Sequence, residues 1–287
     1  HKYHHNGAME RWQDNGLILS TRPHGESGAV MTILSSQYGK FAGYVPYAKS
    51  TKMRGIIEPG NIIHAEWAAR SYDNLGTFKV EQERHITAGF MDDRLKLSAI
   101  KSIMALCDQA LPEREPYTEL YDGTVALIDA LDSDLWAVSY IMWEISFLRV
   151  LGFALDFSRC AGGGAADDLY YMSPKSGCAV SREMGETYKD KLLPLPSFLR
   201  PDKSMPDADD LEKGLRLSLY FLENWVFAQH TRGIPEDRLR FQERFAKYVL
   251  QQSNEKNQTQ TKGADHAGDG CDVLDDEEFI NEHYGQR

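Results

Sequence analysis

The hydrophobic period of this 287-residue chain changes once, near Phe90, and that change limits the architectures open to it. Before it, apolar residues come in short runs rich in β-branched and aromatic side chains, at 16–21, 29–34, 41–47, 61–70 and 77–83. Gln37-Tyr38-Gly39-Lys40 reads as a turn, and 71–76 as a hairpin loop. Five short strands with regular turn signals predict a small closed barrel of OB or SH3-like type. Spacing does not separate the two.

After Phe90 the apolar residues recur at helical spacing. Leu95, Ile100, Ile103, Met104, Cys107 and Leu111 share one side of a helix stopped by Pro112, and Leu120, Leu127, Ile128 and Leu131 mark a second. A third, at about 134–151, is apolar almost all round, which predicts a place at the centre of the helical part. Gly152 is placed to end it in the left-handed conformation. Two more helices are predicted at about 208–229 and 235–251, after an irregular insert holding a hairpin-like stretch at 169–181. The expected fold class is therefore α+β and multidomain. Its parts are a leader or expression remnant over 1–8, an OB-type barrel domain over 9–88 and an all-α domain over 89–252. That domain carries a small hairpin insertion at about 156–199, and an acidic disordered tail follows over 253–287.

The formal net charge is −11, which argues against a polyanion partner until it is partitioned along the chain. Residues 9–90 hold nine basic and eight acidic side chains, 91–252 hold 19 and 26, and 253–287 hold three and nine. The barrel is thus the one large segment without an acidic excess. Within it Lys49, Lys52 and Arg54 fall close together with no acid between them. Local field decides where a polyanion docks. Aromatic residues interleave with these cations, among them Phe41, Tyr44, Trp67 and Phe78. Tyr47 and Tyr72 stand nearest the loop charges and are the candidates for stacking on unpaired bases. No stretch approaches the ~18 uninterrupted apolar residues of a membrane helix, so no membrane partner is expected. Four cysteines, at 107, 160, 178 and 271, are too few for a disulfide scaffold and predict a reducing, cytosolic setting.

Catalytic chemistry finds little support. Cys160 and Cys178 flank the hairpin where a zinc ribbon would place ligands, but tetrahedral zinc needs four, and each half-site offers one thiol with no histidine nearby. No metal or other cofactor is expected. Gly162-Gly163-Gly164 lacks the Lys-Ser/Thr of a phosphate loop, and Asp92-Asp93 and Asp167-Asp168 suit helix starts and turns. No nucleophile, base and orienting group share a defined spacing, so no enzymatic activity is expected.

Several strings in order resemble the RecO family of bacterial recombination-mediator proteins. In the barrel they are 16–27 (Gly16 through Arg22-Pro23-His24 to Ser27), Gly39-Lys40 and Pro59-Gly60-Asn61. In the helical part they are Leu111-Pro112-Glu113-Arg114-Glu115-Pro116, Trp143-Glu144 leading to Leu151–Asp156, Ser158-Arg159-Cys160, and 171–181. The resemblance implies an N-terminal OB-fold and a helical domain with a zinc-ribbon-like insertion, in which Cys160 and Cys178 keep only part of a zinc set. It also implies binding of single- and double-stranded DNA, annealing of complementary strands and partnership with RecR. Contact with the C-terminal tail of single-stranded DNA-binding protein (SSB), and through it help in loading RecA, are implied as well. The expected function is that of a non-enzymatic DNA-repair mediator. The alternatives are an RNA-binding OB module and a protein–protein adaptor without nucleic-acid binding. Phosphate docking is assigned to Arg22, Lys40, Lys49, Lys52, Arg54, Arg70 and Lys79, with Tyr47 and Tyr72 for bases, and a partner groove is placed around Trp143 and Phe147.

Overall fold

Fifteen residues, Glu10–His24, form one long strand, β1, where hydrophobic runs suggest a short one at 16–21. The strand serves two neighbours, which its apolar pattern alone does not reveal. Its second half pairs antiparallel with β2 (Gly28–Ser35), while Glu10 to Leu17 pair antiparallel with a later strand, β4 (Ile62–Ala69). A register shift between Ile18 and Ser20 bends the strand between these two ladders. The structure, a computed structural model, describes residues 10–71, 74–201 and 204–265.

From β2 the chain turns into β3 (Gly39–Val45), then a short helix, α1 (Thr51–Ile56), then β4 and β5 (Gly76–Arg84). The strands close in the order β1-β2-β3-β5-β4, the ring being completed by parallel pairing of Gly43 with Gly76 and Tyr44 with Thr77. This order, with a helix between the third and fourth strands, is that of an OB-fold and settles the choice the spacing left open. Alternate residues fill the interior: Ile18, Met31, Ile33, Phe41, Trp67 and Phe78 are buried there. Each large apolar side chain so buried contributes ~1.5–3 kcal/mol. Trp67 also donates from its indole nitrogen to the Ala42 carbonyl, 3.1 Å away. Trp12 closes one end, stacked on Tyr38 with ring centroids 4.8 Å apart.

Asn61 ties α1 to the barrel. Its amide donates to the carbonyls of Gly55 and Ile56, both at 3.2 Å, and its side-chain oxygen accepts from the Ile86 and Thr87 backbone at 2.9 and 3.1 Å. A buried amide with its hydrogen bonds satisfied fixes geometry, since every one of these groups would otherwise be orphaned.

Helices α2 (Arg94–Ala110), α3 (Thr118–Ala130) and α4 (Trp136–Val150) follow. Asp93 caps α2 by accepting from the Lys96 N–H at 3.0 Å, and Gly152 takes a φ of +93° just past α4. The insert forms a small sheet, order β7-β6-β8, from β6 (Leu169–Met172), β7 (Ala179–Ser181) and β8 (Leu193–Pro194), with a short turn of helix, α5 (Arg182–Gly185), between the last two. Helix α6 (Ala208–Phe221) opens on a capping box between Asp207 and Asp210, then widens into a π-turn over Leu222–Val226, short of the 229 the spacing suggests.

Helix α7 runs Glu236–Asp265, so residues 253–265, expected to lack structure, are helical. Lost apolar periodicity and a gain in Gln, Asn, Asp, Glu and Gly predict disorder there, but Gln, Glu and Lys also favour helix without an apolar stripe. Residues 266–287 and 1–9 lie outside the described residues. The chain divides into two compact units at Lys247/Tyr248, and the first holds both the barrel and the helices through the start of α7. Within it, Gly39 meets the α2–α3 loop so closely that a Cβ there would overlap the Glu115 backbone, and the Arg114 N–H donates to the Lys40 carbonyl at 2.9 Å. The Arg114 guanidinium covers the Phe41 and Trp67 rings at 5.0 and 5.2 Å.

Candidate nucleic-acid interface

The loop after β3 and the helix behind it carry the densest positive charge of the barrel. Ser50 caps α1, its hydroxyl accepting from the Met53 N–H at 3.2 Å, so the basic stretch read as loop becomes a capped helical turn. Lys49 lies just before the cap. Its ammonium donates to the carbonyls of Glu26 at 2.7 Å and Gly25 at 3.3 Å, and its N–H donates to Ser27 at 3.2 Å. The β1–β2 turn is thereby pinned to the α1 loop.

Between them opens a pocket of about 360 Å³ lined by Arg22, Lys49, Arg54 and Glu58 over a floor that includes Ala29 and Ile57. Arg22 reaches it from β1, opposite Val30, and Arg54 from the last turn of α1. At its edge the Tyr44 ring lies directly over Gly28, leaving no room for a Cβ there, and His24 meets the same ring edge-on at 5.8 Å. Tyr47 stands next to the pocket-lining Ala48, is 73% exposed, and holds a φ of +56°. That left-handed conformation is strained for a bulky residue, and the side chain stands in solvent.

Of the seven cations assigned to phosphate docking, three therefore converge, and Lys52 lies exposed on the same short helix. The other three do not join them. Lys40 sits at the seam with α2, its ammonium donating to the Asp108 carbonyl at 2.7 Å, because β3 begins where the α2–α3 loop packs. Lys79 lines a separate groove of about 540 Å³ on the β1–β4–β5 face with Arg11, Glu66 and Thr77. Arg70 follows β4 where that strand pairs with Glu10, the opposite end of β1 from Arg22. Period-2 spacing tells which face a residue points to but not which end of a barrel it reaches. Tyr72 lies outside the described residues. Phe41, Trp67 and Phe78 are interior.

A third cleft, about 850 Å³, runs along the seam between the barrel and α2, past Ser20, Glu58, Lys101 and Asp108. Burial pushes the Asp108 carboxyl above its ordinary range, against the opposing pull of Lys40, the Ser20 hydroxyl and Arg22.

In the helical part, α3 and α4 leave a groove of about 520 Å³ lined by Leu127, Ala130, Met142, Trp143 and Arg149. Trp143 forms its wall, held by donation from its indole nitrogen to the Thr124 hydroxyl at 3.0 Å. Phe147, assigned to the same groove, is fully buried beneath it, stacked on Trp143 at 5.0 Å. Helix α4 is thus central on one side and groove-forming on the other, which an all-round apolar sequence does not reveal.

The Cys160 thiol is buried and accepts from the Ser181 N–H at 3.1 Å. Burial raises its pKa, but the Ser181 N–H and hydroxyl and the Gly164 and Gly162 amides together hold it below the ordinary thiol value. Cys178 is half-buried, and among the described residues no three His, Cys, Asp or Glu side chains gather as a metal site. Among the described residues, Cys160 and Cys178 are not joined by the two further ligands that tetrahedral zinc needs. Cys107 is buried in the face of α2, where burial drives its pKa far up and keeps it an inert thiol. Glu58 and Arg11, absent from the sequence-based assignment, line the two barrel pockets. Arg11 was not legible, since Trp12 is the one apolar residue between Glu10 and Asn15 and gives no period to extend β1 that far.

Comparison with known proteins shows which sequences the chain is similar to. Residues 9–83 match the family model for the N-terminal domain of recombination protein O, and residues 91–232 the model for its C-terminal domain. The chain is 45% identical over 238 residues to the DNA repair protein RecO of Rhodospirillum centenum, covering 82% of this chain and 95% of that protein. It is 42% identical over 247 residues to RecO of Rhodospirillum rubrum (84% and 98%) and 41% identical over 240 residues to RecO of a Ruegeria species (83% and 99%).

Proposed function

The chain belongs to the RecO family of DNA repair proteins, and from that premise we propose that it acts as a mediator that binds single- and double-stranded DNA and anneals complementary strands. The observation that carries this reading is the convergence of Arg22, Lys49 and Arg54 in one pocket beside the exposed, strained Tyr47. Cations there attract phosphates, and the Tyr47 ring offers a face on which an unpaired base can stack. Phosphate contacts carry no sequence information, so binding is unspecific. Bringing two strands to one basic surface lowers their mutual repulsion, which promotes annealing without any bond being made or broken. No nucleotide, metal or other cofactor is required.

The α3–α4 groove suits a second partner. Its apolar walls and Arg149 at its rim match a peptide of acidic residues ending in an aromatic, the chemistry of the SSB C-terminal tail. Together with RecR, such contacts would bring the protein to SSB-coated DNA and help RecA load there, in the bacterial cytosol. No helix among the described residues is long and apolar enough to cross a membrane.

The test is gel shift and strand annealing at two salt concentrations, with and without RecR. Affinity for single-stranded DNA falls by about 0.7 log unit per log of salt for each phosphate contact. Changing Lys49, Lys52 and Arg54 together to Ala weakens binding ~10-fold or more and flattens that slope. An unchanged slope removes this surface as the site. For the groove, fluorescence anisotropy of an acidic peptide ending in Phe shows binding that Arg149→Glu abolishes; no binding by the unaltered protein rejects the partner.

A further inference from the structure

The positive charge of the barrel is a focus rather than a track. A surface that follows a continuous strand spaces its cations along a groove. Here three cations share a single pocket of about 360 Å³, while Lys40 is held at the α2 seam and Lys79 belongs to a different groove. With Glu58 as its one carboxylate, the pocket lining carries a net charge of two positive units. An internal phosphodiester carries one negative charge. A terminal phosphomonoester carries close to two at pH 7.

We infer that this pocket receives the phosphomonoester end of a nucleic-acid strand, with Arg22, Lys49 and Arg54 around the phosphate. The inference rests on the reading of the barrel as a DNA-binding surface and deepens it by naming the part of the strand this pocket prefers. The framework suits a compact dianion. Lys49 is fixed by two backbone carbonyls of the β1–β2 turn, Arg22 is set by its strand register, and Arg54 rides on a capped helix whose far end is bound by Asn61. The apolar floor of Ala29, Ala48 and Ile57 lowers the local dielectric beneath the charges. Volume agrees as well, since about 360 Å³ lies at the small end of ligand pockets and holds a phosphate with its sugar. Tyr47, exposed and one residue from the lining, offers a ring for an adjoining base.

One short oligonucleotide made with a 5′-phosphate, a 3′-phosphate or neither tests this, by anisotropy with the full-length protein. At pH 7.5 at least one phosphorylated form binds about 5- to 10-fold tighter than the unphosphorylated one. That preference shrinks at pH 5.5, where the monoester takes up its second proton near pH 6. Arg54→Gln, and independently Arg22→Gln, weaken the phosphorylated strand more than the unphosphorylated one, so that the ratio of the two affinities falls toward one. Equal affinity for all three oligonucleotides, weakened alike by Arg54→Gln, overturns the end-binding inference and leaves the DNA-binding reading standing. Failure of the folded protein to bind any of them overturns both.

Discussion

Glu144 and Arg238, 94 positions apart, meet as a bidentate ion pair with both side chains completely buried, Nε to Oε2 at 2.6 Å and Nη2 to Oε1 at 3.0 Å. Ser218 and Tyr140 donate to the two carboxylate oxygens at 2.7 and 2.8 Å, and Arg238 also donates to Gln242 and the Leu215 carbonyl. Burial and then the charge of Glu144 push the Tyr140 hydroxyl far above its ordinary pKa, so it stays a donor. The pair locks α4, α6 and the first turns of α7 in one arrangement.

Breaking that pair from one side leaves an uncompensated buried charge. Glu144→Leu or Arg238→Met alone lowers stability by ~3–5 kcal/mol, and the double replacement loses less than either single one. Urea denaturation of the three variants measures this. A double variant worse than both singles would show that the pair itself, rather than the orphaned charge, holds the helices.

Gly39 and Gly25 both have positive φ, +88° and +68°, but only Gly39 is hemmed in, by the Glu115 backbone. Gly25→Ala costs ~1 kcal/mol of left-handed strain, whereas Gly39→Ala costs that and also pushes the α2–α3 loop off the barrel, a loss of ~3 kcal/mol or more. Denaturant midpoints of the two variants should differ accordingly, and equal losses would mean that the loop yields freely.

Asp108 titrates higher in the folded chain than in the unfolded one, burial being the main cause. The native state therefore holds the proton more tightly, and stability attributable to this group declines as pH rises from the ordinary aspartate range through the raised value. Asp108→Asn removes the cost of the charge. Its melting temperature should exceed that of the unaltered protein at pH 7, with the gap closing as pH falls toward 4. A gap that widens on acidification would reverse the assigned direction.

Tyr47 separates stability from binding. Tyr47→Gly relieves the positive φ and raises stability by up to ~1 kcal/mol, while loss of the ring weakens single-strand binding by ~1–3 kcal/mol. Thermal melts and anisotropy on one sample read both effects. A variant both less stable and unchanged in affinity would leave Tyr47 without the stacking role.

Much of this fold is legible in the sequence. Five period-2 runs and the later helical spacing placed the barrel and the helices, because each element buries one face and that demand is written locally. Gly152 ends α4 as its position suggests, and Cys107 is core as its helix face suggests. Helix α1 was not legible, since six residues give no period, and neither was α7 beyond Gln251, since a polar helix has no apolar stripe to read.

Residue type and spacing thus determined the order of elements and the pool of candidate cations, and a run of local strings carried the resemblance to the family. Tertiary structure alone decided which of those cations work together. Arg22 and Arg54 become neighbours only because the barrel closes and Asn61 anchors α1 beside β1, while Lys40 is diverted to a seam that exists only once α2 packs. Glu144 gave no sign of burial, since a charge is stable inside a protein only when its partner arrives, and Arg238 arrives from 94 residues away. Local pattern fixes what each segment buries; closure and packing fix which distant charges meet.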